Sequence, residues 1–163
     1  VAETEFAFRM GRDLPPRQAP YGVDEVIAAV ASLHPALEIP DSRYSDFTKV
    51  GASQLIADNA CAHQVVFGAP ATADWRSLDL AKHQVHGSVA GKLERDGIGA
   101  NVLGDPRLAL AWLANELSAH RITLHAGQTV ITGTCMAPLP IEPMDRVSAD
   151  YGLLGRISIE IVR

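Results

Sequence analysis

Glycine and proline cut this 163-residue chain into short runs, and only one apolar segment continues without a breaker for several helical turns. Residues 2–10 read as a strand closed by Gly11 and the loop Asp13-Leu-Pro-Pro-Arg17. Residues 36–40 make a short buried strand ending at Pro40, and Gln64–Gly68 another that stops at Gly68 and Pro70. In Lys82–Val89, the polar Gln84, His86 and Ser88 alternate with Val85 and Val89, so this run and Lys92–Arg95 predict a hairpin turning at Ala90-Gly91. Thr129–Thr134 and Arg156–Val162 supply the last strands. Val23, Val26, Ile27, Val30 and Leu33 fall at helical spacing, which predicts a helix over 25–33 capped by Asp24. Ala52–Asn59 reads as a second, short helix. Asp105-Pro106 is an N-cap followed by proline at the first helical position, opening a helix over 107–119. That helix is apolar around most of its circumference, which puts Trp112 in the core. Many short strands with three helices predict an α+β domain: a mixed β-roll or barrel-like sheet with a few packed helices.

Composition excludes several function classes. With 47% hydrophobic and 20% charged residues the chain is globular, and its length suits one domain over 1–163. A net charge of −5 argues against nucleic acid or an anionic membrane surface as partner. No apolar run reaches the length of a membrane span. Cys61 and Cys135 lack C-x-x-C spacing, so reduced thiols and a cytoplasmic location are expected.

The chemistry concentrates in Glu3, Glu5 and Glu38. On a strand, residues i and i+2 share a face, so Glu3 and Glu5 point into one space. Two carboxylates held that close repel unless a cation lies between them, and a hard divalent ion such as Mg²⁺ or Mn²⁺ suits all-oxygen ligands. A solvated acidic face is the other reading of the same spacing. Other candidates are weaker. His83 and His86 fall on opposite faces of a strand, and His120 and His125 suit a helix end better than a ligand set. Gly97-Ile-Gly99 lacks the strand–GxGxxG–helix order of a dinucleotide site.

Seven segments, in order and spread over the chain, carry a resemblance. They are the opening Glu-x-Glu, Ala36-Leu-Glu-Ile-Pro-Asp-Ser-Arg43, Ile56-Ala-Asp-Asn-Ala60, Leu103-Gly-Asp-Pro106, Ala111-Trp-Leu-Ala-Asn115, Thr132-Gly-Thr134 and Ala149-Asp-Tyr-Gly152. Together they resemble the 2-keto-4-pentenoate hydratase and 4-oxalocrotonate decarboxylase branch of the fumarylacetoacetate hydrolase superfamily. The resemblance implies a metal-dependent lyase of aromatic-ring catabolism, with Glu3, Glu5 and Glu38 as the ligands of Mg²⁺ or Mn²⁺. The implied reaction adds water to a 2-hydroxy-2,4-dienoate to give a 4-hydroxy-2-oxo acid. The cation polarises the 2-oxo acid head as a Lewis acid.

The resemblance also assigns Gly133 and Thr134 to substrate contact, and points to a second pocket segment at Asp58-Asn59-Ala60-Cys61, with Asn59 and Cys61 as candidates. Relatives usually have serine at Cys61; a thiol donates more weakly, so Cys61 reads as a buried, inert side chain. Asp41 and Arg43 read as a structural pair or as support for the Glu38 strand. Met144-Asp145 stands where the family usually has Gly-Asp. Family members extend further on the N-terminal side, where a lysine and an acidic residue are proposed for proton transfer. Val1-Ala-Glu-Thr-Glu reads as the middle of a strand, so a preceding segment is expected and no catalytic acid or base is assigned. Two alternatives stay open: a 4-oxalocrotonate decarboxylase, towards which Tyr44 and Phe47 lean, and a truncated, non-catalytic partner subunit associated with a related pathway enzyme. Homo-oligomerisation is expected from the family, with the 107–119 helix as a candidate interface.

Overall fold

The computed structural model describes residues 1–162. Eleven principal elements follow one another: strand β1 (Glu3–Met10), helix α1 (Val23–Ala28), β2 (Val30–Ile39), α2 (Ala52–Ala57), β3 (Gln64–Phe67), β4 (Gln84–Val89), β5 (Leu93–Ile98), α3 (Pro106–Ala119), β6 (Thr129–Thr134), β7 (Arg146–Asp150) and β8 (Arg156–Glu160). They form two open four-stranded sheets, ordered β3-β2-β1-β6 and β5-β4-β7-β8. Every pairing between them is antiparallel. The α+β class with few helices holds, while the strands do not close into a barrel.

The core lies between the sheets and under α3. Phe6, Phe8, Met10 and Leu33 are fully buried in it, each removing a side chain from water for ~2 kcal/mol. Phe6 meets Tyr151 edge-on with ring centroids 5.5 Å apart, joining the first sheet to the segment after β7. The approach of the second sheet to the 135–139 segment is tight: a Cβ at Gly97 would lie 2.5 Å from the Cys135 carbonyl oxygen. Gly99 is more constrained still, since a Cβ there would lie 1.9 Å from the Leu80 carbonyl oxygen. Gly99→Ala is therefore expected to destabilise the fold by ~2 kcal/mol, read from urea unfolding; unchanged stability would refute this packing.

Three sequence expectations are corrected. The helix placed over 25–33 ends at Ala28, and Val30 and Leu33 belong to β2. The cause is a bulge. Arg9 pairs with Ser32 but Met10 pairs with Val30, so Ala31 is extra and both Val30 and Leu33 turn to the core. A bulged strand thus imitates the i, i+3 spacing of a helix. Gly22, with no side-chain cap, precedes α1 in place of Asp24. Trp112 is not in the core but 59% exposed. Helix α3 buries a narrow face of Leu110, Ala111, Ala114 and Ser118, leaving Leu108 and Trp112 one turn apart on the open side. Strand β7 was not read from the sequence, although it supplies the centre of the second sheet.

Asp105 caps α3 as expected, its carboxylate accepting from the Arg107 N–H at 2.8 Å. Met144 takes a φ of 74°, a left-handed conformation that favours glycine. Because Met144 is also exposed, Met144→Gly should raise stability by ~0.5–1 kcal/mol in the same unfolding assay; a loss would contradict strain at this turn. No helix among the described residues is long and apolar enough to cross a membrane.

Candidate metal centre

Strand register brings the three carboxylates together. Glu3 on β1 stands directly opposite Glu38 on β2, and Glu5 stands opposite Ala36. Opposite residues share a face, as do residues two apart, so all three glutamates project to one side. The small Ala36 leaves room beneath Glu5. One carboxylate oxygen from each of Glu3, Glu5 and Glu38 lies within 4.8 Å of the others. Glu3 and Glu38 are half-buried, whereas Glu5 is 1% exposed.

Burial without compensation shows in the protonation of this cluster. Loss of water, then the close Glu38 carboxyl, push Glu5 up to about 8, although the Gly133 N–H pulls the other way. Burial, followed by the charge of Glu38, also raises Glu3. No lysine or arginine side chain is paired with Glu3, Glu5 or Glu38 among the described residues. Three carboxyl groups with no lysine or arginine partner among the described residues are a donor set that suits a hard divalent cation. The residues present therefore fit Mg²⁺ or Mn²⁺.

A second bulge orders Glu5. Glu5 pairs with Thr134 but Ala7 pairs with Ile131, so Thr132 and Gly133 together oppose Phe6. Gly133 takes a φ of 98°, which a residue with a Cβ rarely adopts. This aims its N–H at Glu5 Oε2, 2.6 Å away. The Thr132 hydroxyl donates to the Phe6 carbonyl at 3.1 Å. Behind Glu5, the buried Tyr151 hydroxyl shares its proton between the Glu5 carbonyl at 2.9 Å and the Ala36 carbonyl at 3.1 Å. Tyr151 thus clamps β1 to β2 at the level of the site. The pattern Ala149-Asp-Tyr-Gly152 does not reveal this role, which needs a buried hydroxyl reaching from the end of β7 to two strands of the first sheet.

A cavity of about 500 Å³ opens beside Glu3 and Glu38. One wall is the segment after α2, where Asn59, Ala60 and Cys61 have φ values of 54°, 51° and 64°. Three successive left-handed residues without glycine store strain, of a kind that gathers where a wall must be aimed. Ala60 and Cys61 line the cavity; Asn59 is exposed and is not among the lining residues. The Cys61 carbonyl accepts from the Asp41 N–H at 2.8 Å, tying this turn to the end of β2.

Tyr44 and Phe47 also line the cavity, and the start of their segment is fixed by Asp58. The buried Asp58 carboxylate accepts from the Ser42 hydroxyl at 2.6 Å, the Arg43 N–H at 3.1 Å and the Arg43 guanidinium at 3.0 Å. Ser42, then Arg43, hold its carboxyl below the usual range. Arg43 therefore pairs with Asp58, not with Asp41, correcting the pair expected from sequence. Thr134 sits opposite Glu5, but its hydroxyl donates to the Met136 carbonyl at 2.9 Å.

The other sequence candidates lie apart from this centre. His83 Nε2 is 2.7 Å from the Tyr151 carbonyl, and His86 Nδ1 is 2.8 Å from Asp96. His120 is the C-cap of α3, and His125 contacts Asp13 at 3.2 Å.

Residues 1–162 match the family model described as fumarylacetoacetate (FAA) hydrolase C-terminal, and the chain belongs to that family. Among its relatives, the 2-hydroxyhexa-2,4-dienoate hydratase of Comamonas testosteroni is 37% identical over 161 residues, covering 98% of this chain and 59% of the relative. The 4-oxalocrotonate decarboxylase of Pseudomonas putida is 34% identical over 140 residues, 86% of this chain and 52% of that protein. The solved structure of 4-oxalocrotonate decarboxylase from Pseudomonas putida G7, complexed with magnesium and adipate, superposes with a TM-score of 0.86 at 30% identity. That match covers 99% of this chain and 60% of the other. The chain thus spans between half and three fifths of the length of these relatives.

Proposed function

We propose that this chain carries the metal centre of a hydro-lyase that adds water to a 2-hydroxy-2,4-dienoate, giving a 4-hydroxy-2-oxo acid. The carrying observation is the convergence of Glu3, Glu5 and Glu38 on one face, opening onto a cavity. The family and the hydratase relative support the reaction class. Glu3, Glu5 and Glu38 would hold Mg²⁺ or Mn²⁺, which when bound supplies Lewis acidity at the two-oxygen head of the substrate. The residues of the chain do the rest by position. The Gly133 N–H fixes the rotamer of Glu5, and Tyr151 fixes the strand beneath it. Asn59 and Cys61 belong to the segment that walls the cavity, and Gly133 and Thr134, on the strand that donates to Glu5, are the substrate contacts assigned from β6. No proton-transfer role is assigned within residues 1–162.

A cytoplasmic setting is supported by two buried, unpaired thiols. Self-association is supported by the exposed Leu108 and Trp112 on α3. The decarboxylase reading keeps one observation of its own, the close superposition on the decarboxylase structure. Incubation of the full-length protein with 2-hydroxypenta-2,4-dienoate and Mg²⁺ tests the proposal. Metal-dependent loss of the dienoate absorbance is expected. Release of carbon dioxide from 4-oxalocrotonate, with the dienoate untouched, would replace hydratase by decarboxylase.

A further inference from the structure

We infer that Asp58 is a positioning residue, which holds the two sides of the 41–61 segment in the shape that receives the substrate. The inference rests on the function proposed above and adds a residue to that site. Asp41, Ser42, Tyr44 and Phe47 line the cavity from the chain before α2, and Ala60 and Cys61 from the chain after it. Asp58 has a fully buried side chain and is not among the lining residues. It acts through the others.

The left-handed run Asn59–Cys61 is pinned to residues 41–43 at both ends. At its start, the Asp58 carbonyl accepts from the Arg43 guanidinium at 2.8 Å, and the Asp58 carboxylate accepts from Ser42 and Arg43. At its end, the Cys61 carbonyl accepts from the Asp41 N–H. Ser42 passes the hold onward, because its oxygen also accepts from the Tyr44 N–H at 3.1 Å. Left-handed backbone costs energy at each residue that is not glycine, so such a run persists only where its surroundings enforce it. One carboxylate thus gathers the Ser42 hydroxyl with both the N–H and the guanidinium of Arg43, and makes the two sides one body. Asp41 follows closely on Glu38 in the chain, so this body is registered against the metal carboxylates. Without the Asp58 charge the walls would sample other arrangements, and a ligand would bind only the fraction still in the competent one. Affinity falls by that fraction, whereas the complex, once assembled, reacts as before. The signature is a higher KM at nearly constant kcat.

Two variants of the full-length protein test this in saturating Mg²⁺. Asp58→Asn keeps the shape and removes the charge; Arg43→Met alters a side chain that is largely exposed. KM for 2-hydroxypenta-2,4-dienoate is expected to rise ~10-fold in Asp58→Asn, and less in Arg43→Met, with kcat and Mg²⁺ affinity within ~2-fold. Hydrogen exchange of the Arg43 and Tyr44 amides, followed without substrate, should quicken ~10-fold while β1 and β2 keep their protection. An unmoved KM, or kcat and Mg²⁺ affinity falling together with it, would overturn the positioning role. So would unchanged exchange at Arg43 and Tyr44. If Asp58→Asn does not fold, Arg43→Met decides by the same measures. If the unaltered protein binds Mg²⁺ yet leaves the dienoate untouched, the proposed function itself fails, and the positioning role with it.

Discussion

Glu5→Gln should abolish the dependence of this protein on divalent cations while leaving its fold intact. The two halves of that expectation have one cause. Burial pushes Glu5 up to about 8, so at neutral pH the metal-free protein carries it mostly protonated. Glutamine has the shape and charge of that protonated acid. Its carbonyl oxygen can still accept from the Gly133 N–H, and its amide can face Glu38. Stability without metal should therefore change by less than ~1 kcal/mol. Metal binding is another matter. A neutral amide removes one of three anionic ligands at the most buried position, and turnover is expected to fall at least ~1,000-fold. Thermal shift with and without Mg²⁺, beside the dienoate assay, reads both effects. A variant that still gains stability from Mg²⁺ would remove Glu5 from the ligand set.

Without divalent cations, stability should decline as pH rises from about 4.5 to about 8 and level off above. The sign follows from which state holds the proton. Below the ordinary Glu value of 4.5, folded and unfolded chains both protonate Glu5 and nothing is lost. Between 4.5 and about 8 the unfolded chain ionises while the folded chain keeps its proton, so each step upward favours unfolding. The whole window is worth on the order of 5 kcal/mol at ~1.4 kcal/mol per unit. Glu3, also raised by burial, acts in the same direction. His86, raised by Asp96, does so near neutral pH, and Glu5→Gln separates the two because it removes only the Glu5 part. Saturating Mg²⁺ should reverse the trend, most strongly above pH 8, where Glu5 is already ionised and no proton has to leave. Equilibrium unfolding at several pH values, with EDTA or with Mg²⁺, checks this. A metal-free stability that rises through the window would show that Glu5 is ionised in the fold.

Legibility in the sequence followed contact range. Glu3 and Glu5 declare themselves through the period of two on a single strand, and Asp105-Pro106 marks the start of α3 within two residues. The β4–β5 hairpin was visible because its turn and its alternation are local. Glu38, by contrast, joined the ligand set only through the family resemblance, since pairing of Glu3 with Glu38 depends on a register between two strands that no local spacing encodes. Bulges hid the rest. One, at Ala31, disguised the start of β2 as helix; the other, at Thr132-Gly133, turns a backbone donor towards Glu5, which the glycine alone could only suggest. The partners of Asp58 and Tyr151 were out of reach because they are set by burial, and no spacing encodes it. Nor does composition mark Ala60 or Cys61 as left-handed, for neither residue type favours that region.

The centre draws on two very different spans of chain, and that fixes an order of events during refolding. Its carboxylates need only β1 and β2 to meet, elements joined by Gly11–Ala29. The donor that orders Glu5 lies 128 residues further along. Closing a short loop costs less chain entropy than closing a long one, so β1 and β2 can associate well before β6 docks. The glutamates would gather first and be held in place last. A cation added early would meet a loose half-site, and tight capture would mark the moment the distant strand arrives.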